Sequence, residues 1–193
     1  MEVKPLKYKS LPGLSERQLA EHHDVLYAGY VKKYNEIVEK IKTANLSESN
    51  GTFSDVRELF VEKNFALNGI KLHESYFDNM TDKPSKLDGT IKTLIEKRWG
   101  SVEKWQEEFM ALGIAARGWV VLAFDYNLGT LENYIYDVHN QGGVADTELV
   151  LVMDVYEHAY FLDYATARKD YIAKFMEVID WDVVNKRVAH QDN

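Results

Sequence analysis

The stretch Val152-Met-Asp-Val-Tyr-Glu-His-Ala-Tyr160 is the most informative part of this chain. Asp154 and His158 lie four residues apart, a spacing that places two side chains on one face of a helix, one turn apart. Their neighbours are apolar or aromatic, so we expect the carboxylate and the imidazole to be partly withdrawn from water. Burying them without partners is costly. A bound cation is one of the few arrangements that would hold both in place.

The composition is that of a folded, acidic chain without cysteine. Of its 193 residues 46% are hydrophobic, which argues against disorder, and the formal net charge of −8 argues against a nucleic-acid partner. The absence of cysteine excludes disulfides, a thiol nucleophile and thiolate metal ligands. No apolar run approaches the roughly 20 residues of a membrane span, and the N-terminus has no apolar signal core. We therefore expect no membrane partner and a cytoplasmic location.

Hydrophobic periodicity divides the chain into a helical first half and a mixed second half. Helices are expected over 15–44 and 55–80, the second with a potential breaker at Asn68-Gly69. The elements expected in the second half are helices over 90–99 and 101–116, strands over 118–126, 131–136 and 148–153, a long amphipathic helix to about 179 and a short helix over 181–189. The predicted fold class is α+β with a small three-stranded antiparallel sheet, and the predicted domains are 1–85 and 86–193.

The chain contains six histidines, each of which is a candidate metal ligand. His190 lies in the polar tail and is interpreted as solvated, and His139 as an exposed loop residue. His73 lies among aromatic and aliphatic residues on a helix, where a core histidine bonded to a backbone carbonyl is as good an interpretation as a ligand. His22 and His23 face directions about 100° apart, so we expect at most one to point inward, and periodicity does not choose between them.

Three histidines flanked by aromatic residues, together with Asp154, are more than a structural role explains. Three neutral imidazoles and one carboxylate suit a borderline cation such as manganese, iron or zinc. The single negative charge of such a ligand set leaves excess positive charge at the ion. That charge acidifies bound water and attracts anions.

At these residues the sequence resembles the iron/manganese superoxide dismutase family. Asp154-Val-Tyr-Glu-His-Ala-Tyr160 is similar to the family signature Asp-x-Trp/Phe-Glu-His-Ala-Tyr, and further matches follow in the family's order over nearly the whole chain. These matches are Asn68-Gly-x-Lys-Leu-His73, Gly100-Ser101, Gly118-Trp119, Asn140-Gln141 and Asp170-Tyr171 through Trp181. The resemblance implies a helical hairpin over 1–85 followed by an α/β domain over 86–193.

The resemblance also implies an enzyme and its metal ligands. His22, His73, Asp154 and His158 match the four protein ligands of one manganese or iron ion per subunit, with a solvent molecule as the fifth ligand. The implied activity is the disproportionation of superoxide to dioxygen and hydrogen peroxide, with the metal alternating between +3 and +2.

Three more side chains receive catalytic roles through the resemblance. Gln141 matches the glutamine that hydrogen-bonds the metal-bound solvent, Tyr30 the tyrosine at the mouth of the substrate channel, and Trp119 an aromatic wall of the pocket. Each also has a simpler interpretation, namely a polar loop residue, a core ring and ordinary core packing. Gly69 together with Gln141 resembles the manganese-type members, which gives a slight preference for manganese over iron.

The resemblance further implies a homodimer or homotetramer, since Glu157 matches a glutamate that crosses a two-fold interface to the partner's His158. Leu26 and Phe161 depart from the family, because a His and a Tyr that bond across this interface are common there. Because both polar residues of this pair are replaced by apolar ones, no polar group is left buried without its hydrogen-bond partner. Two other functions stay open. One is a non-haem iron oxygenase with two His and one carboxylate, and the other is a dismutase-fold binding module without activity.

Overall fold

Two long helical arms form the N-terminal half of the chain, whose residues 1–189 are described by a computed structural model. The first arm begins after Ser15, whose hydroxyl accepts a hydrogen bond from the backbone N–H of Gln18 and so caps the helix. The arm is continuous, as predicted, but its middle segment is π-helical, a wider turn often found at functional sites. The elements are α1 (Glu16–Ala20), the π-helical segment (Glu21–Tyr27), α2 (Ala28–Ile41) and, in the following loop, a 3₁₀ turn (Leu46–Glu48).

The second arm is the single helix α3 (Asp55–Asp78), capped by the hydroxyl of Ser54. It runs through Asn68-Gly69 without interruption, so the potential breaker does not act there. Gly69 is buried where α3 passes close to the first arm, and a Cβ added to it would lie 3.2 Å from the ring of Tyr30. The glycine therefore permits close packing of the two arms rather than ending the helix.

A three-stranded antiparallel sheet organises the C-terminal half, in the order β2 (Thr130–Tyr136), β1 (Trp119–Asp125) and β3 (Thr147–Asp154). β1 lies in the middle, and every one of its side chains is buried. In its register Trp119 faces Asp154 of β3, so the start of β1 lies beside the end of β3. The predicted α+β fold class is confirmed. The helices that precede the sheet are α4 (Gly89–Trp99) and α5 (Val102–Ala115).

After β3 the chain differs from the prediction of one long helix to about residue 179. Asp154 is the last residue of the strand and His158 lies in a 3₁₀ turn, so the two are not one turn apart on a helix. Ala165, with a φ of 47°, then separates two further helices, since a continuing α-helix has no residue of positive φ. The segments are the 3₁₀ turn (Glu157–Ala159), α6 (Phe161–Tyr164), α7 (Arg168–Glu177) and α8 (Trp181–Val188).

Direct hydrogen bonds join the two halves. α3 packs on β3, and the side-chain carbonyl of the buried Asn79, just after α3, accepts a hydrogen bond from the backbone N–H of Val152. The backbone N–H of Thr81 donates to the carbonyl oxygen of Val178. These contacts fix α3 relative to the end of β3. The domain boundary predicted near residue 85 falls between α3 and α4 and stays a prediction.

His190, predicted to be solvated, lies outside the described residues. Among residues 1–189, no helix is both long and apolar enough to cross a bilayer.

Candidate metal centre

Four potential metal ligands converge where the helical arms meet the end of the sheet. His22 comes from the π-helical segment, His73 from α3, Asp154 from the end of β3 and His158 from the 3₁₀ turn that follows. The Nε2 atoms of His22, His73 and His158 lie 3.1, 3.7 and 3.2 Å, respectively, from the Oδ2 atom of Asp154. Each residue offers one donor atom within 4.8 Å of all the others. The structure thus brings together the four residues predicted as ligands.

This convergence leaves buried nitrogen atoms without hydrogen-bond partners. Within the described part of the chain, neither ring nitrogen of His22 nor the Nε2 atom of His73 makes a hydrogen bond, although both side chains are buried. The Nδ1 atom of His73 donates to the carbonyl oxygen of Gly69 at 2.6 Å, so its Nε2 atom carries a lone pair. Buried polar atoms without partners are costly. An iron or manganese ion fits this donor set and would satisfy it.

The electrostatics of the group also favour a cation. Burial lowers the pKa of His22 and of His73, so both imidazoles are neutral and able to coordinate. Burial alone would raise the pKa of Asp154, but the nearby His158 and His22 hold it well below its ordinary value. Burial alone would lower the pKa of His158, but the carboxylate of Asp154 raises it. The group is therefore an ionised carboxylate surrounded by imidazoles.

Backbone and tyrosine contacts hold Asp154 in place. Its Oδ1 atom accepts a hydrogen bond from the backbone N–H of Tyr156 at 2.9 Å, and its carbonyl oxygen accepts one from the hydroxyl of Tyr171 at 2.6 Å. The hydroxyl of Tyr171 is in turn hydrogen-bonded to that of Tyr76, 3.1 Å away. The Oδ2 atom is left to face the three histidines. Outer contacts of this kind orient a ligand and preserve its geometry.

A hydrogen-bonded row of three side chains lies beside the four ligands. Trp119 donates from Nε1 to the Nδ1 atom of His139 at 3.0 Å, and the Nε2 atom of His139 lies 2.7 Å from the hydroxyl oxygen of Tyr30. Because an indole N–H can only donate, the Nδ1 atom of His139 is the acceptor. The Nε2 atom therefore carries the proton of the neutral ring and donates a hydrogen bond to the hydroxyl oxygen of Tyr30. Burial lowers the pKa of His139 to about 4, so the ring is neutral at neutral pH. The rings of Trp119 and Tyr30 lie 4.9 and 5.4 Å from that of His73.

Similarity to known proteins extends over almost the whole chain. The model of a family described as "Iron/manganese superoxide dismutases, C-terminal domain" matches residues 87–187. A superoxide dismutase [Fe] of Aquifex pyrophilus is 39% identical over 189 residues, which cover 94% of this chain and 87% of that protein. A superoxide dismutase [Mn] 2 of Haloferax volcanii is 34% identical over 183 residues, which cover 92% of this chain and 89% of that protein. The chain belongs to the iron/manganese superoxide dismutase family.

Membership of the iron/manganese superoxide dismutase family confirms the resemblance drawn from the sequence and the enzyme class that it implied. The predicted cofactor, manganese or iron, is confirmed at that level. The relatives carry either metal in their names, iron in Aquifex pyrophilus and manganese in Haloferax volcanii. Membership alone therefore does not choose between the two ions.

In the loop after β2 of this dismutase-family chain, two residues differ from their predicted placement. His139 was expected to be exposed, but it is only 1% exposed and lies in the row beside the ligands. Gln141 was expected beside the metal-bound solvent, but its side chain is exposed. The backbone N–H of Gln141 donates to the carbonyl oxygen of Val138, which closes a tight turn around His139. Gly142 follows with a φ of 106°, where an added Cβ would collide with the carbonyl oxygen of Ile135.

The structure also resolves the adjacent pair that sequence periodicity left open. His22 joins the ligand group. His23 lies under the N-terminal segment, with its Nε2 atom 2.9 Å from the carbonyl oxygen of Lys4 and its Nδ1 atom 2.7 Å from a carboxylate oxygen of Asp24. Both histidines are buried, so the expectation that at most one points inward is wrong. The π-helical turn changes the angle between successive side chains, which a period of 3.6 residues does not anticipate.

Exposed apolar side chains lie on the π-helical segment that carries His22 and on α6, which follows the 3₁₀ turn of His158. Leu26 and Phe161, the two departures from the family pattern, are 37% and 45% exposed. Glu157 is exposed as well, and the side chain of His158 is 27% exposed. The apolar residues concerned are Val25, Leu26, Phe161 and Leu162.

Proposed function

We propose that this protein is a superoxide dismutase, which converts two superoxide anions and two protons to dioxygen and hydrogen peroxide at one manganese or iron ion. The proposal rests on the Nε2 atoms of three histidines, which converge on the buried Oδ2 atom of Asp154. In the described chain, the Nε2 atoms of His22 and His73 make no hydrogen bond. It is supported by similarity, over 94% and 92% of the chain, to proteins named as iron and manganese superoxide dismutases.

His22, His73, Asp154 and His158 would hold the ion. When bound, the ion supplies a redox couple that accepts an electron from one superoxide and returns it to a second. The contribution of the four ligands is to set the charge of the site. Their single negative charge leaves a divalent or trivalent ion with net positive charge, which attracts an anionic substrate. Because the whole chain carries a formal net charge of −8, this local charge has to provide the attraction.

The row of Trp119, His139 and Tyr30 would position a proton donor beside the ligands. The hydroxyl oxygen of Tyr30 accepts a hydrogen bond from His139. The phenolic O–H of Tyr30 is therefore able to donate to an anion bound beside the ligands. Burial, together with the charge of Asp154, raises the pKa of Tyr30, so the phenol keeps its proton at neutral pH. Trp119 is fully buried and fixes the tautomer of His139. In this proposal His139 takes the place beside the ligands that the resemblance gave to Gln141, and it acts through Tyr30.

Either manganese or iron is compatible with this proposal. The slight preference for manganese was based on Gly69 together with Gln141, and the side chain of Gln141 is exposed. Ligand identity does not separate two ions that prefer the same donors. Metal analysis of protein produced with both ions supplied would decide between them.

A homodimer, or a homotetramer built from it, would form through the surface next to His158. Glu157 is exposed and would cross the interface to the partner's His158. Leu26 and Phe161 are exposed in the single chain and would pack against the partner, because burial of apolar surface is favourable. A cytoplasmic location stays a prediction.

Metal stoichiometry, measured together with superoxide consumption, tests the proposal. Protein stripped of metal and reloaded with Mn²⁺ or Fe²⁺ should take up one ion per chain and consume superoxide only when loaded. Asp154→Ala should lose both properties, because it removes the anionic ligand at the centre of the group. Asp82→Ala, which removes an exposed carboxylate between α3 and α4, should change neither.

The same measurements separate the two other functions. A non-haem iron oxygenase needs only two histidines and one carboxylate, so His22→Ala would then keep full metal occupancy. A dismutase-fold binding module would take up metal without consuming superoxide. We expect His22→Ala to lose metal and the loaded wild type to be active.

A further inference from the structure

The buried side chain of Gln18 connects the two segments that carry His22 and His158. Gln18 is 1% exposed and lies on α1, one helical turn before His22. Its Nε2 atom donates to the carbonyl oxygen of His158 at 2.6 Å, and its Oε1 atom accepts from the backbone N–H of Leu162 at 3.0 Å. A single side-chain amide therefore satisfies two backbone groups of a segment that is distant in sequence.

These two backbone groups are the ones that a continuous α-helix would pair with each other. The carbonyl of His158 and the N–H of Leu162 are four residues apart, which is the spacing of the α-helical hydrogen bond. The amide of Gln18 lies between them, so both stay satisfied while the chain bends. The bend is at Tyr160, whose φ of −147° and ψ of −10° are not helical. This contact lies at the first of the two breaks in the long helix predicted after Asp154, and the second break is at Ala165.

We propose that Gln18 is a positioning residue of the metal centre. Its amide keeps the segment between His158 and Leu162 open, so that the imidazole of His158 faces Asp154. This inference rests on the proposed metal-binding function. Without the amide, the two backbone groups would bind water and the segment would move. His158 would then leave its place among the ligands.

Two neighbouring contacts connect the same segments without bonding to a metal ligand. The backbone N–H of Ser15 donates to a carboxylate oxygen of Asp163 at 2.7 Å, and the hydroxyl of Tyr164 donates to the carbonyl oxygen of Gly13 at 2.6 Å. Both contacts are exposed. Tyr164→Phe is therefore a matched control, because it removes one hydrogen bond between the segments and leaves the His158 carbonyl bonded to Gln18.

The test compares Gln18→Met with Tyr164→Phe and wild type, each loaded with Mn²⁺. Gln18→Met keeps the length of the side chain and removes both hydrogen bonds. It should weaken Mn²⁺ binding by about tenfold to a hundredfold, as is typical when an outer contact of a ligand is lost. It should also alter the zero-field splitting in the Mn²⁺ electron paramagnetic resonance spectrum, because His158 has moved. In metal-free protein the backbone amide of Leu162 should exchange with solvent faster than in wild type. Tyr164→Phe should retain all three wild-type properties.

Unchanged Mn²⁺ affinity and spectrum in Gln18→Met would overturn the inference, and so would equal changes in Tyr164→Phe. Should Gln18→Met not fold, the wild type decides. Slow exchange of the Leu162 amide and of the Gln18 side-chain amide is expected there, and fast exchange of either contradicts the contact. A wild type that binds neither Mn²⁺ nor Fe²⁺ refutes the proposed function. If wild type and Gln18→Met bind Mn²⁺ and Fe²⁺ equally tightly, only the role of Gln18 is refuted.

Discussion

The Nε2 atom of His139 lies 2.7 Å from the hydroxyl oxygen of Tyr30. This hydrogen bond joins the loop after β2 to the first helical arm, right beside the four clustered candidate ligands. The other ring nitrogen of His139 accepts from Trp119. The imidazole is thus held on both sides, and its neighbours determine which nitrogen carries the proton.

His139→Ala should reduce superoxide consumption by about tenfold or more without reducing metal content. The substitution removes the donor to Tyr30 and leaves the buried indole N–H of Trp119 without its partner, and losses of this size are typical of contacts just outside a metal site. His139→Gln, whose amide can both accept and donate, should keep more of the activity. Stopped-flow measurement of superoxide decay at equal metal content checks this expectation.

Gln141→Ala is the control for this experiment. Its side chain is exposed, so turnover should stay close to that of the wild type. A large loss in Gln141→Ala with little effect in His139→Ala would reverse the assignment of the two residues.

Metal-free protein should lose stability as the pH falls from about 6.5 to about 4, in part through His139. Burial lowers the pKa of this group from 6.5 to about 4. Between these values the unfolded chain binds a proton that the folded chain does not, so the free energy of unfolding falls with falling pH. In His139→Gln the dependence should be shallower by up to about 1.4 kcal/mol per pH unit. Urea unfolding at several pH values measures both slopes, and identical slopes would argue against a buried neutral imidazole.

Gly69→Ala should disturb the pair of His139 and Tyr30. The added Cβ would lie 3.2 Å from the Cδ2 atom of His139 and 3.2 Å from the Cδ1 atom of Tyr30, so at least one ring has to shift. Gly29 also lies in a helix, but a Cβ there meets nothing within 4 Å. Gly29→Ala should therefore raise the free energy of unfolding by up to about 1 kcal/mol through helix propensity. Gly69→Ala should gain less stability, or lose some, and should lower turnover.

Thermal unfolding and superoxide decay of the two alanine variants test this contrast. If both variants gain equal stability and both keep wild-type turnover, Gly69 of α3 does not lie close enough to His139 and Tyr30 for a Cβ to meet their rings at 3.2 Å.

Phe161→Glu should dissociate the proposed dimer, since it would place a charge in an apolar contact. Glu157→Ala should weaken the dimer as well. Ile114→Glu serves as the reference, because Ile114 is 51% exposed but lies on α5. Sedimentation velocity over a range of concentrations reports the assembly. A dimer that survives Phe161→Glu and Glu157→Ala alike would not use the surface next to His158.

The four candidate ligands were named from the sequence, but not all of them from local features. Asp154 and His158 share a short motif, whereas His22 and His73 were assigned only through the resemblance to the family. The predicted placement of Asp154 and His158 on one helix was nevertheless wrong. A strand end and a 3₁₀ turn bring them together, and not one turn of a helix.

The features that were not predictable depend on contacts between segments that are distant in sequence. His139 and Gln141 are close neighbours in one loop, and the turn before Gly142 determines which of them points inward. No local pattern distinguishes them. The helix expected after Asp154 is interrupted where the amide of Gln18, 140 residues before His158, bonds to its backbone. Periodicity within a segment does not contain such information.

Decay of superoxide after pulse radiolysis is the most direct measure of whether His22, His73, Asp154 and His158 bind a redox-active ion. We predict that protein loaded with manganese or iron removes superoxide catalytically, in amounts far exceeding its own concentration. The same protein after metal removal, and Asp154→Ala exposed to the same ion, should remove it no faster than buffer does. Catalytic removal by metal-free protein, or none by either loaded form, would contradict this function.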